Sequence, residues 1–132
     1  MSQESVELVQ AMFAAFLRGD YEAAIVAFDP GVVGDFTHMP DGQMTEGRDE
    51  LQEEVARWVS TWKRLDTTVE RIIDAGAEVI VAVVEQTGVA RSSGIEATIR
   101  YGQTFTVSDD QIVRMATYLD AEEALEAVGL KE

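Results

Sequence analysis

The sequence contains no cysteine, which excludes disulfides, thiolate zinc sites and cysteine nucleophiles together. It has one histidine, His38. Metal binding needs more ligands than one imidazole plus scattered carboxylates, so no metal is expected. Only two prolines are present and no Pro-, Gly- or Ser-rich stretch divides the chain. The 132 residues therefore read as one domain, 1–132. Basic residues are scarce: 10 Lys and Arg face 25 Asp and Glu, a formal charge of −15. A chain that acidic repels phosphate backbones and anionic bilayers, so neither nucleic acid nor a membrane is an expected partner. The most continuous apolar run, Val79 to Val84, is far too short to span a bilayer. The first ten residues carry Glu4 and Glu7 and no basic residue, unlike a secretory signal. The cytoplasm is the default compartment. No nucleotide cofactor is expected either, because Gly31-x-x-Gly34 leads into a strand rather than a helix.

What is present is an ordinary globular mix, 46% hydrophobic and 27% charged. Val6, Val9, Phe13, Phe16 and Leu17 recur at helical spacing, widened by Met12, with Ser2 as N-cap and Gly19 as C-terminal stop. Asp20 caps a second helix, Tyr21 to Phe28, ended by Asp29-Pro30-Gly31. Val32 to His38 reads as a short strand and Met39 to Gly47 as a loop. Leu51, Val55, Trp58, Val59 and Trp62 share one face of a third helix, Asp49 to Lys63. The period then changes to two. Four strands follow, Leu65 to Asp74, Val79 to Ala90, Ile95 to Val107 and Ile112 to Leu119, joined by short turns. Asp120 with Glu123 opens a last helix that stops at Gly129. Helices segregated from an antiparallel meander make an α+β fold. A curved sheet wrapped around amphipathic helices encloses a pocket.

The order of these elements carries a resemblance. The Arg18-Gly19-Asp20 corner, Gly47-Arg48-Asp49-Glu50-Leu51, Ala75-Gly76-Ala77-Glu78-Val79 and the ending Tyr118-Leu119-Asp120 with Glu123-Ala124-Leu125 resemble the nuclear-transport-factor-2-like fold. The ending is similar to its SnoaL-like, ketosteroid-isomerase-like branch. The resemblance implies a cone-shaped barrel with a central pocket. It implies cofactor-free isomerases, cyclases, dehydratases or hydrolases, or non-catalytic binding and interaction modules, because one fold hosts many functions. In ketosteroid isomerase an aspartate base faces a tyrosine and a protonated aspartate, two carboxyl groups tuned apart by their surroundings. The matching base position is His38 when counted back from Gly47-Arg48, and Phe36 when counted forward from Gly19. The matching oxyanion positions are Gln103 and a residue near Met12. That isomerase constellation is therefore absent.

The ordinary range of an imidazole suits proton transfer near neutrality, and His38 is expected beside the pocket rim, as general acid or base. Gln103 on a facing strand is the expected donor to a developing oxyanion. Asp35 falls on the face opposite His38 by strand alternation. Asp41 lies in a loop, and Glu85 calls for an ion-pair partner such as Arg100 or Arg114. Phe36, Trp58, Trp62, Tyr101, Phe105 and Tyr118 are the expected aromatic walls for a small apolar or semi-polar ligand. Met12, Phe13 and Phe16 read as core. Ser92-Ser93 lies in a turn without a neighbouring base and is not a nucleophile. Val79, Val81, Val83, Ile95 and Ile99 leave an apolar sheet face, from which a homodimer paired through the sheet is expected. Two readings stand side by side. One is a cofactor-free acid–base enzyme acting through His38 and Gln103; the other is a non-catalytic ligand-binding or interaction module.

Overall fold

A computed structural model describes residues 2–130, apart from the side chain of Ser2, the expected N-cap, which lies outside the described residues. Two helices lead, α1 (Ser2–Leu17) and α2 (Tyr21–Ile25). Gly19 takes the left-handed φ of +81° that ends α1, and the Asp20 side chain accepts from Ala23 N at 3.1 Å to start α2. Six strands and a third helix follow: β1 (Phe28–His38), β2 (Met44–Glu46), α3 (Gly47–Ser60), β3 (Trp62–Asp74), β4 (Val79–Ala90), β5 (Glu96–Ser108) and β6 (Gln111–Tyr118). A short helix α4 (Ala121–Ala127) ends the described fold, capped by Asp120 accepting from Glu122 N at 2.9 Å.

The fold is α+β, with one curved sheet wrapped on helices, as the patterning requires. The strand order is β2-β1-β6-β5-β4-β3. The end strands do not meet, so the sheet is open rather than a closed barrel. It is also mixed, because β1 runs parallel to β6 while the other pairs are antiparallel.

Three boundaries differ from the sequence reading. Asp29-Pro30-Gly31 does not end a helix; it is absorbed into β1. Between the pairs Phe28–Ile112 and Val33–Arg114, β1 carries more residues than β6, so the turn-forming tripeptide bulges out of the ladder. The Met39–Gly47 loop contains β2, paired through Val33–Glu46, Gly34–Thr45 and Asp35–Met44. Three residues are too few for alternation to register. Trp62 fits the apolar period of α3 but pairs with Ala90, so β3 begins three residues before Leu65.

Alternation sorts the strands onto two faces. The concave face buries Ile80, Ala82, Val84, Phe105 and Met115 under Val9, Met12 and Phe13 of α1 and Leu51 of α3. α4 lies on the convex face, packing Ala124 and Leu125 on Val81. The apolar face expected to carry a homodimer is not there. Val81 and Val83 are fully buried, Ile99 packs against the concave core, Val79 is half-buried, and of the five Ile95 alone stands well out, at 65% exposure. The convex surface is instead polar, with a Thr87–Thr98 hydroxyl contact at 3.0 Å and an Arg100–Glu70 pair at 3.0 Å. Among the described residues no helix is long and apolar enough to cross a membrane.

Candidate functional site

A cavity of about 710 Å³ lies between the concave face and α1, α2 and α3, which suits a small organic molecule. Met12, Phe13 and Phe16 of α1, Leu51, Val55 and Trp58 of α3, and Phe28 and Phe36 of β1 form its apolar walls. Met12 and Phe13 are thus both core and lining. Trp62 closes one side, its ring meeting Trp58 edge-on with centroids 5.6 Å apart. It can lie there because position 88 on β4 has no side chain; a Cβ on Gly88 would come within 2.6 Å of the indole.

Polar groups enter through the sheet. Tyr101 and Gln103 sit two apart on β5 and project to the same concave side. The Gln103 amide donates to Thr117 Oγ1 at 3.1 Å. Burial alone raises the Tyr101 phenol above its ordinary value of 10.0, and no hydrogen bond offsets it. Its hydroxyl is thus neutral near physiological pH and has no intramolecular partner among the described residues. Beside them, Trp58 Nε1 donates to Gln86 Oε1 at 2.8 Å and Gln86 Nε2 donates to Thr67 Oγ1 at 3.1 Å. This chain ties α3 to β4 and β3.

Glu54 is the one Asp or Glu among the described residues lining the cavity. Its buried carboxylate accepts from Arg57 and from Gln43 Nε2 at 3.4 Å, while Arg57 Nη2 also donates to the Asp41 carbonyl at 3.3 Å. The hydrogen bond and charge of Glu54 raise the Arg57 guanidinium above its ordinary value. The pair holds the loop after β1 against α3. Sequence reasoning missed Glu54, Arg57, Gln86, Thr67 and Thr117. Glu54 falls one position before Val55 on the apolar face of α3, and that interruption was the available signal.

Of the expected site residues, five line one cavity: Gln103, Phe36, Trp58, Trp62 and Tyr101. Phe105 lies deeper, fully buried, with its ring edge-on to Phe13 at 5.7 Å. His38 and Tyr118 are not in the lining. His38 sits on the convex side, its side chain 39% exposed and its ring stacked on Tyr118 at 4.3 Å. The reason is a register shift between Asp35–Ala116 and His38–Tyr118, where three steps on β1 oppose two on β6. Phe36 keeps the inward direction and His38 is turned outward, so it shares a face with Asp35 rather than opposing it. His38 Nε2 lies 3.7 Å from Asp35 Oδ2.

The same Asp35 oxygen is 3.3 Å from Arg114 Nη2, so Arg114 pairs with Asp35, and Arg100 with Glu70, rather than either with Glu85 as expected. Asp35 Oδ1 also accepts from the Thr37 hydroxyl at 2.6 Å. Burial opposes ionisation of Asp35, but the two Thr37 donors, His38 and Arg114 together hold its carboxyl below its ordinary 3.8. A carboxyl lowered in the folded state stabilises above the ordinary range, and the gain is lost as pH falls through the folded value. Asp35→Asn is therefore expected to lower the melting temperature at pH 7 by about 3 °C, with a smaller gap at about pH 3. A gap of equal size at both pH values in thermal scans would show that the charge plays no part.

Among the described residues no three His, Asp or Glu side chains converge as metal ligands. The fold is similar to that of several solved structures, all under 25% identical. A nuclear-transport-factor-2-like protein of unknown function from Burkholderia pseudomallei aligns over 96% of this chain and 98% of that one, with TM-score 0.77 and 19% identity. A candidate polyketide cyclase from Xanthomonas campestris aligns over 96% and 98%, with TM-score 0.73 and 24% identity. TerC, co-crystallised with polyporic acid, aligns over 95% and 98%, with TM-score 0.74 and 18% identity. No curated protein matches the sequence significantly. The profile of the SnoaL-like domain matches residues 9–115, most of the chain, and the protein belongs to the SnoaL-like domain family.

Proposed function

We propose that the cavity binds a small, largely apolar organic molecule bearing a carbonyl or hydroxyl oxygen, and that Tyr101 donates a hydrogen bond to that oxygen. The observation that carries this reading is an unpartnered, neutral phenol inside an apolar cavity of about 710 Å³. A hydroxyl that faces the cavity without a protein partner is free to donate to whatever occupies it. Gln103, with its amide nitrogen already engaged by Thr117, presents its carbonyl oxygen as an acceptor beside it. The co-crystallisation of TerC with polyporic acid, on a similar fold, supports an organic occupant.

A donor aimed at a carbonyl oxygen stabilises negative charge developing there, the step shared by cofactor-free isomerisation, cyclisation and dehydration. The runner-up reading is binding without turnover. It is favoured by the engagement of Glu54 with Arg57 and by the position of His38 on the other face of the sheet. The two tryptophans of the chain, Trp58 and Trp62, both line the cavity. Titration with small ketones, lactones and polyketide-like aromatics should therefore change tryptophan emission saturably, at micromolar to millimolar concentrations. Mass and absorbance spectra of the bound compounds then separate the readings: new products mean turnover, and unchanged ligand means a binding module. No saturable response from any of these classes would sink both.

A further inference from the structure

We propose that the ligand is an organic anion, its apolar body in the cavity and its negative group at a basic rim formed by Lys63 and Arg91. This rests on the binding reading above and adds the charge of the ligand to it. Four of the chain's ten Lys and Arg residues line the cavity: Arg57, Lys63, Arg64 and Arg91. Of its 25 Asp and Glu residues, Glu54 alone among those described does so. In a chain of net charge −15, a wall of the opposite bias concentrates positive potential where a ligand would enter.

Lys63 and Arg91 lie at one end of the cavity, where α3 gives way to β3 and β4 comes to its close, whereas Arg57 is drawn toward the loop after β1. Arg91 N donates to the Thr61 carbonyl at 3.0 Å, and its guanidinium donates to the carbonyls of Ser60 and Trp62, each at 3.1 Å. These bonds fix its cation at the rim. Lys63 follows Trp62 and Arg91 follows Ala90, and Trp62 and Ala90 are paired across β3 and β4.

Acidic neighbours decide which charges are left for a ligand. Arg57 is paired with Glu54 and also feels Asp41. Arg64 has Asp66 at 3.8 Å. The last carbonyls of α3 partly offset Arg91. No carboxylate within ion-pair distance among the described residues offsets Lys63 or Arg91. A carboxylate or sulfonate at the rim meets both, while a neutral ligand leaves Lys63 in water. The anion, and not its neutral counterpart, therefore depends on Lys63 and on ionic strength, since screening acts over about 8 Å at physiological salt.

Two probes with the same aromatic body test this: 8-anilino-1-naphthalenesulfonate and the neutral N-phenyl-1-naphthylamine. Energy transfer from Trp58 and Trp62 reports their arrival, and mutual displacement shows that they share the cavity. Lys63 is exposed and its ammonium makes no hydrogen bond among the described residues, so its variants should fold, which circular dichroism checks. Lys63→Glu is expected to weaken the sulfonate about tenfold and Lys63→Gln about threefold, with the neutral amine within about twofold throughout. Raising salt from about 0.02 to about 0.5 M is expected to weaken the sulfonate alone. If both probes bind and respond alike to Lys63→Glu and to salt, the anion proposal is overturned while the binding reading survives. If neither gives energy transfer, both fall.

Discussion

Tyr101→Phe is expected to leave the melting temperature unchanged or slightly higher. The same change is expected to weaken ligands that offer a carbonyl or phenolate oxygen by about tenfold, and to slow any turnover by about 10²- to 10³-fold. Deleting a hydroxyl usually costs stability because it strands a partner. Here no partner among the described residues is stranded, since burial is the sole influence on the phenol and no hydrogen bond opposes it. Phenylalanine keeps the ring that packs into the concave core. A hydroxyl kept for structure would give the reverse pattern, a fall in melting temperature with binding lost only in proportion to unfolding. The control is Gln103→Leu. It removes a side chain whose amide is engaged by Thr117, so it should cost stability as well as affinity. Measurements of melting temperature, affinity and turnover on the two variants separate a group positioned for a ligand from one shared with the sheet. Unchanged affinity in Tyr101→Phe for every oxygen-bearing ligand that binds would remove the phenol from the site.

How much of this was legible beforehand varies with the length over which a pattern persists. The period-two runs of β4 and β5 are long. They placed Tyr101, Gln103 and Phe105 on one face, and that face is the concave one. The helical stripe of α3 likewise placed Trp58 at the cavity. The errors arise where one residue changes a phase. Alternation from Phe36 puts His38 inward, and a single bulge between Asp35 and His38 reverses it. Nothing in Phe36-Thr37-His38 marks that extra residue, because it is set by pairing with β6, some eighty positions later. The parallel pairing of β1 with β6 was hidden for the same reason. The apolar sheet face was misjudged because periodicity gives the direction of a side chain but not what covers it. Val81 points outward as expected, and α4 lies over it. Glu54 is the converse case. Its charge argued for solvent, yet Arg57 one turn along the helix makes its burial tolerable and brings it to the cavity wall.

The second large effect is expected at Gly102, between the two polar site residues but facing the other way. Its neighbours Tyr101 and Gln103 reach into the cavity, while position 102 faces α4 across the convex side. A Cβ built there would stand 2.4 Å from Ala124 Cβ and 3.3 Å from Ala121 Cα. Real carbon atoms do not approach that closely, so α4 has to lift or β5 has to bend. Overpacking of this kind typically costs about 1–3 kcal/mol and more when backbone blocks relief. For a chain of this size each kcal/mol shifts the midpoint by roughly 3–4 °C. Gly102→Ala is expected to lower the melting temperature by about 10 °C, and Gly102→Val to lower it further or prevent folding. The remedy follows from the geometry: Ala124→Gly removes the atom that is struck. By itself that change costs about 1 kcal/mol, the usual penalty for glycine inside a helix. Combined with Gly102→Ala it should restore most of the loss, so the double variant is more stable than Gly102→Ala alone. Coupling of at least about 1 kcal/mol in that cycle identifies direct helix–strand contact. Additive losses would mean instead that alanine at 102 harms β5 itself, and Tyr101 and Gln103 would then be displaced with it. Ligand affinity per folded molecule reads the difference: unchanged in the first case, reduced in the second.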